Sequence, residues 1–283
     1  MLYAPDLCTL DAVKRHRKLT DTQTRDDDLL MDFIHAASAA FQSAIRRVCV
    51  PYYAAHSFDA APPHCRAYTL DVGKLGFDLL AVDTLTNGDG AAISGAGIAL
   101  RTPNVFPKWR IELKQSVGTA FTYNTDWQEA ISVAGWWGYV PNFPTCWQDT
   151  GVDVPGGGIT SGALTMTLTE ENAALIEVGA YLLMDDEIVQ VTARATTVLT
   201  LKRAQLGTTA ASHTAGTAIS AYQGLPDIVD AAREMVAYAY KAKDRVGGSV
   251  KVFEGGIVTM EGLDKSVADA ISRHERKGLA VIR

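Results

Sequence analysis

The sequence is poor in the features that announce an enzyme, a membrane protein or a nucleic-acid binder. It has four cysteines, Cys8, Cys49, Cys65 and Cys146, with no C-x-x-C pair and no histidine cluster beside them. A zinc site needs three or four thiolate or imidazole ligands converging on one point. The cysteines therefore read as free, mostly buried thiols of a reducing compartment. No apolar run approaches the roughly 20 residues that span a bilayer, so no membrane association is expected. Met1 to Leu10 lacks a basic start followed by an apolar stretch, and no secretion signal is expected. Positive charge is also short: 26 Lys and Arg stand against 32 Asp and Glu, a net of −6. A general nucleic-acid binder would show a basic face. A neutral or acidic channel would still let DNA slide, because few phosphates would be neutralised.

Catalytic motifs are missing too. None of the six histidines falls in H-E-x-x-H, and His274-Glu275 has no second histidine four positions on. Ser94-Gly95 is not preceded by the glycine of a G-x-S-x-G elbow. Gly156-Gly157-Gly158 neither follows a clear strand nor opens a helix, so it is no phosphate cradle. Asp26-Asp27-Asp28 reads as charge placement at a helix N-terminus, since adjacent helical residues point in different directions. Asn87-Gly88-Asp89-Gly90 lacks the ligand alternation of a calcium loop and reads as a hairpin turn. The expectation is a protein that is not an enzyme and has no cofactor and no metal.

What is present is an α+β pattern. Thr9 caps a short helix over Leu10 to His16. A long helix is expected from about Asp26 to Val48, with Leu29, Leu30, Phe33, Ile34, Ala37, Phe41, Ala44, Ile45 and Val48 in a 3.6-residue period, Arg46 and Arg47 in its last turn and Pro51 as its stop. From 51 to 150 the pattern changes to short strands: Tyr52-Tyr53, Ala67–Leu70, Leu79–Leu85, Ile98–Arg101, Trp109–Leu113 and Ala130–Tyr139. In the last of these, Trp136 and Trp137 should face opposite sides.

Gly151 to Gly162 reads as a hinge. Beyond it, Leu164–Leu168, Tyr181–Met184, Ile188–Ala193, Val198–Leu201 and Ala218–Tyr222 suggest a small inserted β-barrel or sandwich, 151–223, with its own core. This module is acidic: residues 149–222 hold eight acids against three bases, a net of −5, and leave the rest of the chain nearly neutral. Pro226 opens a returning helix that runs to about Arg245. A β-like stretch over Val250–Met260 and a last helix over Leu263–Arg276 complete the chain. The helices of 1–50 and 224–249 are expected to form one bundle, because neither part can bury its apolar face alone.

Three segments, in this order and spacing, resemble the head–tail connector (adaptor, head-completion) family of long-tailed bacteriophages. They are Thr9-Leu-Asp-Ala-Val-Lys-Arg-His with Asp26-Asp-Asp-Leu-Leu-Met-Asp-Phe-Ile-His-Ala-Ala; Leu79-Leu-Ala-Val-Asp-Thr-Leu-Thr-Asn-Gly-Asp-Gly with Pro107-Lys-Trp-Arg-Ile-Glu-Leu and Ile131-Ser-Val-Ala-Gly-Trp-Trp-Gly-Tyr; and Pro226-Asp-Ile-Val-Asp-Ala-Ala-Arg. The module resembles a small β-unit recurring in phage structural proteins, through Asp186-Glu-Ile-Val-Gln-Val-Thr and Leu199-Thr-Leu-Lys-Arg-Ala-Gln-Leu-Gly-Thr-Thr-Ala-Ala-Ser-His-Thr-Ala-Gly-Thr-Ala-Ile.

The family resemblance implies a virion protein at the head–tail interface, assembled in the host cytoplasm. It would be a homo-oligomeric ring, typically of twelve copies, bound to the portal protein and to a downstream neck or tail-completion protein. DNA would pass through the channel without sequence-specific binding. The segment 250–283 would be the portal-binding arm, with Lys265, Arg273, Lys277, Leu279, Val281, Ile282 and Arg283 as portal contacts. Candidate subunit contacts are Ala36 and Ala40, on the alanine-rich face of the long helix, with Trp136 and Trp137. The competing expectation is a tail or baseplate module that recognises a host glycan or another tail protein.

Overall fold

A computed structural model of the chain describes residues 4–20, 22–243 and 265–276. Among them it is a mixed α+β protein of five α-helices and three antiparallel sheets, none closed into a barrel. The chain divides into two compact units. Among the described residues, the first joins 4–46 with 147–205, 209–243 and 265–276; the second comprises 47–146 with 206–208.

The first unit opens with α1 (Leu10–His16) and α2 (Asp27–Ile45). Thr9 caps α1 by accepting a hydrogen bond from the amide of Ala12. On α2 the residues Leu30, Ile34, Ala37, Phe41 and Ile45 are buried at helical spacing. The helix stops before the expected Val48. Arg46 takes the left-handed conformation (φ 58°) and its amide turns back to carbonyls of the last turn, so Arg46 and Arg47 follow the helix instead of completing it. The stop thus comes five residues ahead of Pro51.

The second unit carries β1 (Tyr52–Phe58), β2 (Cys65–Arg66), β3 (Thr69–Leu70), β4 (Leu79–Thr86), β5 (Ile98–Arg101), β6 (Arg110–Leu113) and β7 (Ile131–Trp137). They form a three-stranded sheet in the order β1-β7-β4 and a four-stranded one in the order β2-β3-β6-β5. Strand β7 alternates strictly: Ile131, Val133, Gly135 and Trp137 point inward, with Ser132, Ala134 and Trp136 on the other face. Gly135 is required there, because a Cβ would lie 2.2 Å from the carbonyl oxygen of Ala81. Phe58, Leu70, Leu79, Leu85, Ile111, Ile131, Val133 and Trp137 make the core.

Strands β8 (Trp147–Asp153), β9 (Thr165–Thr167), β10 (Tyr181–Met184), β11 (Glu187–Ala195), β12 (Val198–Lys202) and β13 (Ala218–Tyr222) return to the first unit. They pair in one open sheet, β8-β13-β10-β11-β12-β9. A barrel or sandwich was the expectation; a single six-stranded sheet is observed. The short helix α3 (Glu170–Ala174) places Ala173 in a core drawn from residues 152–219. The stretch expected to be a hinge is tied down instead. Residues 151–153 belong to β8, the amide of Gly158 bonds the carbonyl of Pro155, and Ile159 pairs with His213.

Helices α4 (Pro226–Ala242) and α5 (Lys265–His274) complete the first unit. Helix α2 packs on α4 and α5, and α1 packs on α2 and α4. Charged side chains fix the register. Asp26 takes the Tyr240 hydroxyl at 2.6 Å and the Lys243 ammonium, and Asp27 takes Lys14 at 2.9 Å. The carboxylate of Asp227 receives His274 at 2.7 Å and Arg273 at 2.5 Å. The β-like stretch expected over Val250–Met260 lies outside the described residues.

Candidate functional site

The densest group of acid–base side chains sits in the six-stranded sheet. The reversal from β10 to β11 is tight, with Asp185 in the left-handed region (φ 49°). It delivers Glu187 to the first position of β11 with its side chain inward. Arg203 follows β12 directly. His213 is held by two backbone hydrogen bonds to Ile159, both 2.9 Å. The motif residues Glu187, Arg203 and His213, 16 and 10 positions apart in sequence, converge on one point.

Their hydrogen bonding is saturated. Arg203 donates Nε and Nη2 to the two oxygens of Glu187, at 2.8 and 2.7 Å. Its remaining hydrogens go to the carbonyls of Thr160 (2.9 Å), Ala163 (2.9 Å) and Ala211 (2.6 Å), so all five guanidinium donors are used. Glu187 also accepts the amides of Ala204 (3.0 Å) and Ala211 (2.9 Å) and meets His213 Nε2 at 3.0 Å. On its far side His213 Nδ1 meets Asp185 at 2.7 Å. The Glu187 and His213 side chains are fully buried, whereas Asp185 is 62% exposed. Burial opposes the charge on Glu187. The hydrogen bonds from Arg203, from the amides of Ala211 and Ala204, and from His213 outweigh it and hold the carboxyl down at about 2. Such a cluster clamps the loops before β9 and after β12 to the sheet. With every donor of Arg203 engaged and the Glu187 and His213 side chains sealed, it offers nothing to a substrate.

A second polar cluster ties the N-terminal strap, residues 4–8, to α2 and the same sheet. Asp6 receives Gln190 at 2.9 Å and faces His35 Nδ1 at 2.5 Å, and its amide donates to the Tyr181 hydroxyl. Ser38 and Gln42 of α2 bond the backbone of Leu7 and Pro5. Burial raises the Asp6 carboxyl, and it outweighs the opposing pull of His35, Gln190 and Lys202. Beside the strap lies an open cavity of about 320 Å³, whose rim includes the Arg15–Glu177 ion pair, Tyr222 and Arg233. Burial pushes the thiols of Cys8 and Cys146 up to about 12 and that of Cys65 to about 11. Thiols held that high are poor nucleophiles. No group of three His, Cys, Asp or Glu among the described residues is arranged to hold a metal ion.

The expected contact residues are scattered. Ala36 is exposed on α2 and Ala40 half-buried. Trp136 lies on the outer face of β7, edge-on to Tyr53 with centroids 5.6 Å apart. Trp137 is fully buried, and its indole nitrogen donates to the Ala54 carbonyl at 3.0 Å. It is a core residue, which corrects its assignment as a subunit contact. Lys265 begins α5 and is exposed; Arg273 is exposed but paired with Asp227. Lys277, Leu279, Val281, Ile282 and Arg283 lie outside the described residues. The Glu187–Arg203–His213 convergence was not anticipated: Glu187 ends the run Asp185-Asp186-Glu187 and Arg203 follows Lys202, so neither stands out from its charged neighbour, and only His213 is an isolated polar ring among small residues. Against known proteins, the chain matches no family model and no curated sequence.

Proposed function

We propose that this chain is a structural virion protein, a head–tail connector that assembles into a ring, of twelve copies by the resemblance, between the portal and the next neck or tail protein. One observation carries the reading. The helices that carry the first and third of the connector-like segments, far apart in sequence, pack together: α1 and α2 lie on α4, where Asp26 takes Tyr240 and, just past the helix end, Lys243, and His16 lies 3.2 Å from Glu234. We read α1, α2, α4 and α5 accordingly as the helical bundle of such a connector, carrying the six-stranded sheet as an added module.

The role is structural and not catalytic in this reading. The Glu187 cluster is saturated and sealed, as a fold clamp is and a reacting site is not. Outside the acidic module the chain is nearly neutral, which suits a channel wall along which DNA slides. With α5 packed on α2 and α4, the proposed portal-gripping arm is narrowed from 250–283 to the residues after that helix, 277–283. Native mass spectrometry of the purified chain, alone and with a portal protein, tests the reading. A closed ring that co-migrates with the portal is expected. Truncation after Arg276, which leaves α5 on α2 and α4, should weaken co-migration while the fold persists. A truncated chain that docks normally would remove the arm from the proposal.

A further inference from the structure

The second unit displays an aromatic and acidic loop that its core does not use. After Phe121, which is buried, every residue from Thr122 to Glu129 is exposed. Long exposed loops are normally loosely held, yet this one is fastened at both ends. At its start the amide of Thr122 donates to Asn87 Oδ1 at 3.0 Å, and Tyr123 bridges Gly88. Gly88 is needed for this approach, since a Cβ there would lie 2.4 Å from the Thr122 carbonyl oxygen. At its end the amide of Ala60 donates to the Trp127 carbonyl at 2.7 Å, and the amide of Glu129 donates to Asp59 at 2.9 Å. Glu129 is held in the left-handed region (φ 51°), a conformation that a non-glycine residue keeps only when its surroundings impose it.

Between these fastenings the loop shows Tyr123, 45% exposed, and Trp127, 40% exposed. These are the residue types that anchor protein interfaces. Around them stand the exposed carboxylates Asp59, Asp89, Asp126 and Glu129. The segments 57–61, 86–92 and 119–130 contain no Lys, Arg or His, and none of the four carboxylates takes part in an ion pair among the described residues. Aromatic faces attract guanidinium and ammonium groups, and flanking carboxylates complete their coordination. A pre-fastened backbone spares the cost of ordering the loop on binding.

We propose that loop 122–129, with Asp59 and the Asp89 turn beside it, is a docking surface for a cationic protein segment bearing Arg or Lys. Within the connector reading, on which this last step rests, that segment belongs to the next protein of the neck.

The test uses the full chain and a fluorescein-labelled octapeptide of alternating Arg and Ala, followed by anisotropy. A Glu/Ala octapeptide and a neutral hexasaccharide serve as competitors. Saturable binding is expected that weakens with salt. Trp127→Ala should weaken it about ten-fold, as loss of an interface anchor does. The pair Asp126→Asn and Glu129→Gln should weaken it several-fold. The pair Glu170→Gln and Glu171→Gln, in the other unit, should leave it unchanged. If Trp127→Ala does not fold, Trp127→Leu and the carboxylate pair carry the test. Equal loss in the Glu170/Glu171 variant, unchanged affinity in the loop variants, or displacement by the hexasaccharide would each overturn the assignment. A ring-forming chain whose loop variants bind normally would sink only this inference. A chain that never forms rings but binds through the loop would sink only the connector reading.

Discussion

Replacing Arg203 with Met removes the centre of the clamp in the six-stranded sheet. The methionine fills the space of the aliphatic stem. Glu187, fully buried, keeps its charge with only the amides of Ala204 and Ala211 and His213 to support it. The carbonyls of Thr160, Ala163 and Ala211 each lose a donor. Breaking a buried ion pair by deleting one partner costs about 3–5 kcal/mol, against a total domain stability of about 5–15 kcal/mol. Urea denaturation followed by circular dichroism should therefore show a large loss, and hydrogen exchange should locate it in β10 to β12. Adding Glu187→Leu to the same variant should restore part of the loss, because the orphaned charge is gone.

Acid provides an independent check on the clamp. The Glu187 carboxyl lies at about 2 in the fold against 4.5 when unperturbed. A depressed carboxyl contributes its stability fully above its unfolded value and loses it as pH falls through its folded value. Roughly 3 kcal/mol should thus disappear as pH falls from about 4.5 to 2, and Glu187→Gln should flatten that part of the profile. A loss below about 1 kcal/mol in Arg203→Met, which is the range of exposed ion pairs, would refute this account of the cluster.

Further perturbations probe other parts of the chain. Burial among aromatic rings lowers His56, which lies 4.7 Å from Trp137 and 4.6 Å from Phe77. Its contribution is complete above the ordinary imidazole range and falls as pH drops below it, so His56→Phe should reduce the pH dependence of thermal melting between about pH 7 and 5. Arg46→Gly should raise the melting temperature, by about 1 kcal/mol of stability, because glycine tolerates the left-handed helix stop. Gly88→Ala should destabilise the second unit by about 1–3 kcal/mol, an overpacking cost read from urea denaturation, since its methyl would meet the Thr122 carbonyl. Gly95→Ala, where a Cβ meets nothing within 4 Å, is the matched control.

Local chemistry made much of the fold legible. The period from Leu30 to Ile45, the cap at Thr9 and the Pro226 start all mark helices whose signals lie within a few residues of the structure they set. The alternation in β7 correctly separates Trp136 from Trp137, but it does not say which face is inward. That depends on Phe58 and Phe77 arriving from elsewhere in the chain. The stop at Arg46 was hidden because an arginine in the left-handed region carries no sequence mark. Strand β8 was hidden because Gly151 reads as a break; that glycine sits in a bulge (φ 69°), with pairing to β13 on either side of it. Closure of a sheet is decided by its edges. Nothing in the sequence of β8 or β9 reports whether those edges find one another.

The site was legible in a different way. Glu187, Arg203 and His213 stood inside a recurring pattern, but hydrogen bonds across 16 and 26 residues are a tertiary fact. The acids of this region read only as the net charge of the module. One of them, Glu187, proves to be the buried partner of Arg203. The docking loop was equally concealed, since Tyr123 and Trp127 look like core residues until their exposure is known.

Native mass spectrometry of the intact chain tests the central proposal most directly. A connector predicts one closed oligomer of defined copy number, twelve by the family resemblance, that binds a portal ring. A chain that stays monomeric at high concentration and ignores the portal would contradict it.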